Sequence, residues 1–386
     1  MPILTPLKPL TAVVMGAGWA GQGHVKALQY CGVDVLALCA RTPVHLESVA
    51  RKFNIPIAST DWHQTLIQLK PDIVTIATPA NLRLEVVEVA TQLGCHIVAE
   101  KPLAATAVAA LKIYALVKKA GVKHAYGATH RYDPGVIYLS KQLENKIGKL
   151  RHIDSVFCGP FDHPLTPWDV NETLAYGGGI LNLGFTHFLS MIEWLSQGTV
   201  TAATGEAYTY RTRAPVIDEY QHDSRERRSR QLTTEEAHCL EWRSRDGDDA
   251  FTVLMKVASP FAENDLPVTV FAQCNVFAPI PSFHNGWRFL GSEGTIHGDG
   301  VFTLSLSQQR ESDKEVIPIP EEIGDALPDI GDETENRWAA LFRDFVADIR
   351  GEQHDPYLTF ADGWRYQEII DAIRYHKGWF QVPISI

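Results

Sequence analysis

The stretch Gly16-Ala17-Gly18-Trp19-Ala20-Gly21 constrains this chain more than any other. It follows the apolar run Thr11-Ala12-Val13-Val14-Met15 and opens a segment with apolar residues at helical spacing, Val25 and Leu28. The order is strand, glycine turn, helix. In such a turn the first glycine permits the tight bend, the second lets backbone approach a pyrophosphate, and the third lets the helix close on the strand. The helix start then offers free N–H groups and the positive end of its dipole to phosphate oxygens. A bare G-x-G-x-x-G also occurs as an ordinary βα turn. Its place at the head of an α/β pattern points to a dinucleotide.

That pattern continues for about a hundred residues. Val33 to Cys39 reads as a second buried strand, and the residues after it bear on which dinucleotide fits. An Asp or Glu there would bond the ribose hydroxyls of NAD. This chain has Ala40-Arg41-Thr42 instead, while Asp34 lies at the strand's other end. A small residue followed by Arg leaves room for a 2′-phosphate and supplies a fork-shaped cation to pair with it. The expectation is NADP over NAD; the plain alternative is that Arg41 is a solvated surface charge. Ile73 to Ala77 is a near-continuous apolar strand of the parallel type and runs into Thr78-Pro79-Ala80-Asn81. Cys95 to Ala99 is the next strand and ends in Glu100-Lys101-Pro102. Parallel doubly wound sheets bind ligands off the carboxyl ends of their strands. Gly16, Gly18, Trp19, Ala20, Gly21, Arg41, Thr42, Thr78, Pro79, Asn81, Glu100, Lys101 and Pro102 are therefore expected around one cofactor.

From Arg151 the texture changes. Ile153 to Cys158, Ala202 to Tyr210, Ala237 to Trp242, Phe251 to Val257 and Val268 to Phe277 read as long strands with few helices between them. An open, largely antiparallel sheet is expected, followed by helices over Thr334 to Ile349 and Phe360 to His376. The predicted fold is thus a Rossmann α/β part, 1-127, with an α+β part, 128-386, for substrate binding and oligomerisation. Arg213 to Gln231, with its basic run Arg225 to Arg230, reads as an exposed insertion.

Composition narrows the function classes. A chain of 386 residues is long enough for roughly two cores, and a net charge of −11 argues against a general nucleic-acid or membrane-surface binder. The six cysteines, at 31, 39, 95, 158, 239 and 274, form no C-x-x-C pair. They read as reduced thiols of a cytoplasmic protein, with no metal site. No signal peptide is read at the start and no apolar run approaches bilayer length.

Taken together, these motifs resemble those of the Gfo/Idh/MocA oxidoreductase family. The resemblance rests on the glycine fingerprint, Thr78-Pro79, Glu100-Lys101-Pro102, a later Gly177-Gly178-Gly179 leading to His187, and Gly291-Ser292-Glu293-Gly294-Thr295, in that order over nearly the whole chain. Arg131 and Pro134 resemble the family's transition into its second domain, and Arg131 is expected among the cofactor-binding residues. The resemblance implies a lysine, here Lys101, beside the nicotinamide and the reacting carbonyl or alcohol. A lysine in a closed cleft can polarise an oxygen or shuttle a proton, and the X-Pro bond after it can be cis. The resemblance also implies sugars, cyclitols or related small molecules as substrates, and a homodimer or homotetramer formed through the open sheet.

One departure from the family pattern stands out. Family members usually carry an Asp four residues before the histidine, where i and i+4 share a helix face. Four before His187 is Leu183, and Asn182 is five before, about 140° away on an α-helix. Three accounts are open. Asn182 takes the position through a one-residue shift eased by Gly184, the account favoured for position though not for equivalent chemistry. A carboxylate comes from elsewhere, such as Asp169 or Glu172. Or the proton relay is incomplete. Tyr176 and Trp168 are candidates for wall or proton-donor residues, and could equally be packing aromatics. The leading reading is an NAD(P)-dependent oxidoreductase with Lys101, His187, Asn182 and Tyr176 at its catalytic end. The rivals are a non-catalytic dinucleotide-binding regulator and a reductase of a non-sugar ligand.

Overall fold

Parallel pairing of short, fully apolar strands builds the first layer of the computed structural model, which describes residues 9–217, 229–299, 304–308 and 315–385. Its strands are β1 (Thr11–Met15), β2 (Asp34–Cys39), β3 (Ile57–Ser59), β4 (Ile73–Ile76), β5 (His96–Ala99) and β6 (His124–Tyr126), in the order β3-β2-β1-β4-β5-β6. All five pairings are parallel. The strand order reverses between β1 and β4, so the carboxyl ends of these two strands flank the crevice where such sheets bind ligands. The linking helices are α1 (Trp19–Tyr30), α2 (Pro43–Lys52), α3 (Trp62–Leu69), α4 (Arg83–Gln92) and α5 (Ala107–Ala120). Their starts and stops follow local chemistry. The Asp61 side chain accepts from Gln64 N at the start of α3, Thr106 accepts from Ala109 N at the start of α5, and Gly121 closes α5 in the left-handed region.

The second layer is a nine-stranded sheet. Its strands are β7 (Leu150–Cys158), β8 (Thr199–Tyr208), β11 (Ala250–Ala258), β12 (Val268–Asn275), β13 (Gly286–Gly291), β14 (Gly294–Gly298), β15 (Leu304–Gln308), β16 (Glu315–Val316) and β17 (Phe380–Gln381). They run in the order β16-β15-β14-β13-β7-β12-β11-β8-β17, and only the β7–β12 pairing is parallel. Alternation sets the faces. Phe251, Val253, Met255 and Val257 of β11 are buried, whereas Leu254 and Lys256 between them are exposed. The buried face packs under α6 (Pro134–Ile147) and α7 (Thr186–Ser196) in one continuous core that also reaches the first sheet.

Two local expectations need correction. Residues 237–241 do not form a strand: Thr234–His238 is a short helix opened by a reciprocal capping box between Thr233 and Glu236. The start of the expected insertion is structured, since β9 (Arg213–Pro215) pairs antiparallel with β10 (Trp242–Ser244) and Ala214 is fully buried. The run Arg225 to Arg228 lies outside the described residues. The last helices, α8 (Glu333–Arg350) and α9 (Phe360–Tyr375), follow the second sheet in sequence yet return to the first. Helix α8 lies on α1, and its Trp338, Phe342 and Phe345 join β1 and β2 in one core; helix α9 lies on α5.

Candidate active site

The glycine turn is shaped by what each position can hold. Gly16 has φ +108°, donates its N–H to the Cys39 carbonyl at 2.8 Å, and a Cβ there would lie 2.9 Å from the Ala77 carbonyl oxygen. A Cβ on Gly21 would lie 1.8 Å from the Gly16 oxygen, so only glycine lets α1 close on the turn. Gly18 differs: a Cβ there meets nothing within 4 Å, and the residue caps the twelve-residue α1 without any side-chain bond. Open space in front of free helix N–H groups is what an anionic ligand needs. Thr78, beyond β4, keeps a buried hydroxyl without a partner. The donor set and the space both fit the pyrophosphate of a dinucleotide.

Around the turn, the other expected cofactor residues divide. Trp19 is packed on Trp338 with ring centroids 4.8 Å apart, and Ala20 is half-buried beside it. Thr42 occupies the N-cap position of α2, and Arg41 before it is exposed with no ion-pair partner among the described residues. His45 of α2 reaches back to within 3.0 Å of the Ala17 carbonyl oxygen, tying the two turns together. Pro79 is half-buried and Asn81 is exposed on the 3-10 turn Ala80–Leu82.

Two of the expected cofactor residues make bonds within the protein. The Glu100 carboxylate is buried and accepts from Trp338 Nε1 at 2.7 Å, with His24 Nε2 at 3.2 Å. Burial opposes its ionisation, but the His24 bond and the nearby Lys101 and Arg83 charges outweigh that and hold its pKa below the ordinary range. Its side chain anchors α1 and α8 to the end of β5. Arg131 lies over the Trp194 ring at 4.1 Å and donates to the Pro356 carbonyl at 3.2 Å. It braces the crossing from β6 into α6.

A residue absent from the sequence expectations organises the strand ends. Arg83, only 3% exposed, donates to the carbonyl of Thr78 at 2.9 Å and to those of Glu100 and Pro102. One planar cation thereby fixes the loops after β4 and β5 on either side of Lys101. Burial lowers its pKa to about 10, which still leaves it charged at neutral pH. The Lys101–Pro102 peptide is cis. Pro102 is buried and Lys101 half-buried, and Lys101 Nζ donates to the Leu183 carbonyl at 2.9 Å.

That contact reaches the helix carrying His187. The turn before it packs on the first sheet's loops: Gly177 has φ +83°, and a Cβ there would lie 2.7 Å from Ala80 Cβ and 3.2 Å from Pro102 Cγ. Asp248 fastens the helix start, accepting from Leu181 N at 2.8 Å and from Arg374 Nε at 2.7 Å. Residues Leu181–Phe185 then form a π-helical turn before α7 begins. A π turn closes i to i+5 instead of i to i+4, so a five-residue spacing returns toward the same face. The sequence alone places Asn182 and His187 on different faces; the π turn reduces that separation.

Asn182 nevertheless does not pair with His187. It is fully buried, its amide donates to the Gly178 carbonyl at 3.2 Å, and its Oδ1 is without a partner, as is His187 Nδ1. The carboxylates considered in its place are also committed. Asp169 accepts from Asn171, and Glu172 is paired with Arg211 at 2.6 Å and Arg245 at 2.9 Å. Trp168 is a packing residue, bonded to the Ser244 carbonyl and covered by Arg243. Tyr176 is 39% exposed on the turn before Gly177.

The ring beside His187 belongs instead to His130, with centroids 4.2 Å apart. His130 Nδ1 lies 3.8 Å from Asp133 Oδ2, and Arg337 Nη1 donates to that carboxylate at 3.0 Å. Burial, then Arg337 and Lys101, push the His130 pKa down to about 3. Burial, then His130 and Lys101, push His187 well below its ordinary value. Both rings are neutral at physiological pH, next to a lysine. The arrangement can hold a cation against a developing oxyanion and present neutral imidazole nitrogens to a proton.

Residues 10–128 match a family model described as an oxidoreductase family with an NAD-binding Rossmann fold, and residues 142–297 match the Gfo/Idh/MocA C-terminal domain. The chain is 26% identical over 204 residues to levoglucosan dehydrogenase of Pseudarthrobacter phenanthrenivorans, covering 49% of this chain and 52% of the relative. It is 28% identical over 182 residues to D-glucoside 3-dehydrogenase of Escherichia coli, covering 46% and 51%. The chain thus spans about half the length of the curated relatives it matches. Among solved structures, levoglucosan dehydrogenase in complex with NADH and levoglucosan superimposes with a TM-score of 0.77 over 97% of this chain and 100% of that one, at 21% identity, a likeness of fold. Among the described residues, no helix is long and apolar enough to cross a membrane, and no group of three or more potential ligands could hold a metal ion.

Proposed function

The chain belongs to the Gfo/Idh/MocA oxidoreductase family, and on that premise we propose that it is an NADP(H)-preferring oxidoreductase acting on an alcohol or carbonyl carbon of a sugar, cyclitol or related small molecule. The observation that carries the reading is Lys101. It leaves the carboxyl end of β5, between loops fixed by Arg83, and reaches the backbone of the π turn that leads to His187. A bound nicotinamide would accept or supply the hydride. In the oxidative direction the substrate C–H bond breaks with its electron pair, the hydroxyl proton leaves to the protein, and a carbonyl remains. The Lys101 ammonium stabilises the oxygen as charge develops on it, and the neutral ring of His187 is available to take the proton. The turn from Gly16 to Gly21 binds the pyrophosphate. Arg41, exposed beside the N-cap of α2 and without an ion-pair partner among the described residues, pairs with a 2′-phosphate.

The test is absorbance of the reduced cofactor in a panel of polyols, glycosides and carbonyl compounds. Lys101→Met abolishes turnover while the cofactor still binds; normal turnover in the variant overturns the assignment. Arg41→Ala weakens NADP selectively, and equal loss for NAD and NADP removes the 2′-phosphate role. We further propose a cytoplasmic homodimer or homotetramer assembled through the exposed face of the nine-stranded sheet, checked by light scattering.

A second reading, a dinucleotide-binding regulator without turnover, draws on Leu183 standing where the family usually carries an acid. A cofactor-bound protein inert toward the whole panel would favour it.

A further inference from the structure

A cavity of about 360 Å³ opens beside His130 and His187, between α7 and the buried face of the second sheet. This is the lower end of the range for small-ligand pockets. Its walls are largely aromatic: Phe157 from β7, Phe251 from β11, Trp287 from β13, and Phe185 and Phe188 from the helix. Phe161 lines the same cavity from the loop after β7 and is 56% exposed, an apolar side chain left in contact with water beside the reaction site. Gly184, within the π turn, keeps the helix side of the cavity low.

We infer that the substrate carries an apolar ring, placed in this cavity when its reacting carbon lies against Lys101 and His187. The inference rests on the proposed reaction site, because His187 belongs to both. A free sugar filling the cavity would bring hydroxyl groups against phenyl and indole faces. Among the described residues, the polar groups lining it besides the two histidines are the side chains of Ser155 and Gln273, the thiol of Cys274 and the indole N–H of Trp287. Hydroxyls buried without partners lose the bonds they make to water, and each such loss disfavours binding. An apolar ring has no such loss and gains from leaving water and from aromatic contact. The substrate class that meets both halves of the site is a glycoside or cyclic polyol with an aryl or cycloalkyl substituent. The polyol end provides the C–OH that is oxidised.

The experiment compares phenyl and methyl β-D-glucoside, each titrated calorimetrically into the full-length protein saturated with oxidised cofactor and then assayed for turnover. The phenyl glycoside is expected to bind more tightly by roughly tenfold or more. In Val276→Trp, which narrows the cavity from the end of β12, that ratio is expected to collapse, with the melting temperature monitoring the fold. Equal affinities for the two glycosides, tighter binding of the methyl glycoside, or no binding of either overturns the inference. The outcomes separate it from the reaction assignment. A phenyl preference without turnover keeps the cavity and removes the proposed chemistry. Turnover of both glycosides without preference keeps the chemistry and removes the cavity's role.

Discussion

Lys101 Nζ donates to the backbone carbonyl of Leu183 at 2.9 Å, so the cation of one sheet is held by the main chain of the helix on the other. Because the acceptor is backbone, the side chain at 183 can change without releasing the lysine. Leu183→Asp would place a carboxylate four residues before His187, where the family usually has one. Burial and the neighbouring His130 and Lys101 now hold the His187 pKa low. A carboxylate there opposes the charges of the neighbours and raises it. The acid limb of kcat/KM against pH is expected to move upward in the variant. An unmoved profile would show that His187 does not titrate in the reaction.

Arg83 supports Lys101 without touching substrate. Its guanidinium serves the carbonyls of Thr78, Glu100 and Pro102 from a buried position. Arg83→Met leaves these three oxygens without their donor and is expected to lower stability by about 3 kcal/mol in urea unfolding. Arg83→Lys keeps the charge but not the fork and should recover only part. If Arg83 positions the lysine, kcat falls further than the KM for substrate rises in the Lys variant. A change in stability with unchanged kcat would limit Arg83 to a structural role.

Arg83 also shows where a linear sequence stops being informative. The glycine turn, Thr78-Pro79 and Glu100-Lys101-Pro102 are legible because strand, turn and helix follow one another locally. The fork of Arg83 joins two loops that are distant in sequence, and a lone arginine at a helix start looks solvated. The long strands β7, β8, β11 and β12 show by alternation, whereas the short pairs β13 to β16 have too few residues for a period to emerge. Residues 237–242 alternate like a strand, yet the Thr233–Glu236 capping box, itself readable, wins locally. The π turn at Leu181–Phe185 depends on contacts with Asp248 and Lys101, from other parts of the chain. Nothing in the local spacing of His130, beside Arg131, relates it to His187.

The glycine turn yields a prediction that separates binding from folding. A Cβ on Gly18 meets no protein atom within 4 Å, whereas one on Gly21 would lie 1.8 Å from the Gly16 oxygen. Gly18→Ala should therefore change stability by no more than about 0.5 kcal/mol, because it disturbs only the space facing the ligand. Cofactor affinity should fall by roughly tenfold or more, the pyrophosphate being held off the helix N–H groups. Gly21→Ala must part α1 from the turn and should lose both stability and binding. Thermal melts and fluorescence titration with reduced cofactor read the two effects. Full affinity in Gly18→Ala would mean the pyrophosphate lies elsewhere.

Acid sensitivity should concentrate at His124 on β6. Its Nδ1 accepts from Phe360 N at 3.0 Å at the start of α9, so the neutral ring is the one that fits. Burial lowers its pKa to about 4, against the ordinary value of about 6.5 in an unfolded chain. Between those values the unfolded state binds more protons than the folded state. Stability is therefore fully present above pH 6.5 and is lost as the pH falls toward 4. The contribution is on the order of 2 kcal/mol, discounted for the ring's partial exposure. His124→Asn keeps an acceptor for Phe360 N but cannot titrate, so its stability should decline less steeply over this interval. Urea unfolding of both proteins at pH 7, 6, 5 and 4.5 measures the difference. Parallel curves would show that His124 is not the group through which acid loosens the junction between β6 and α9.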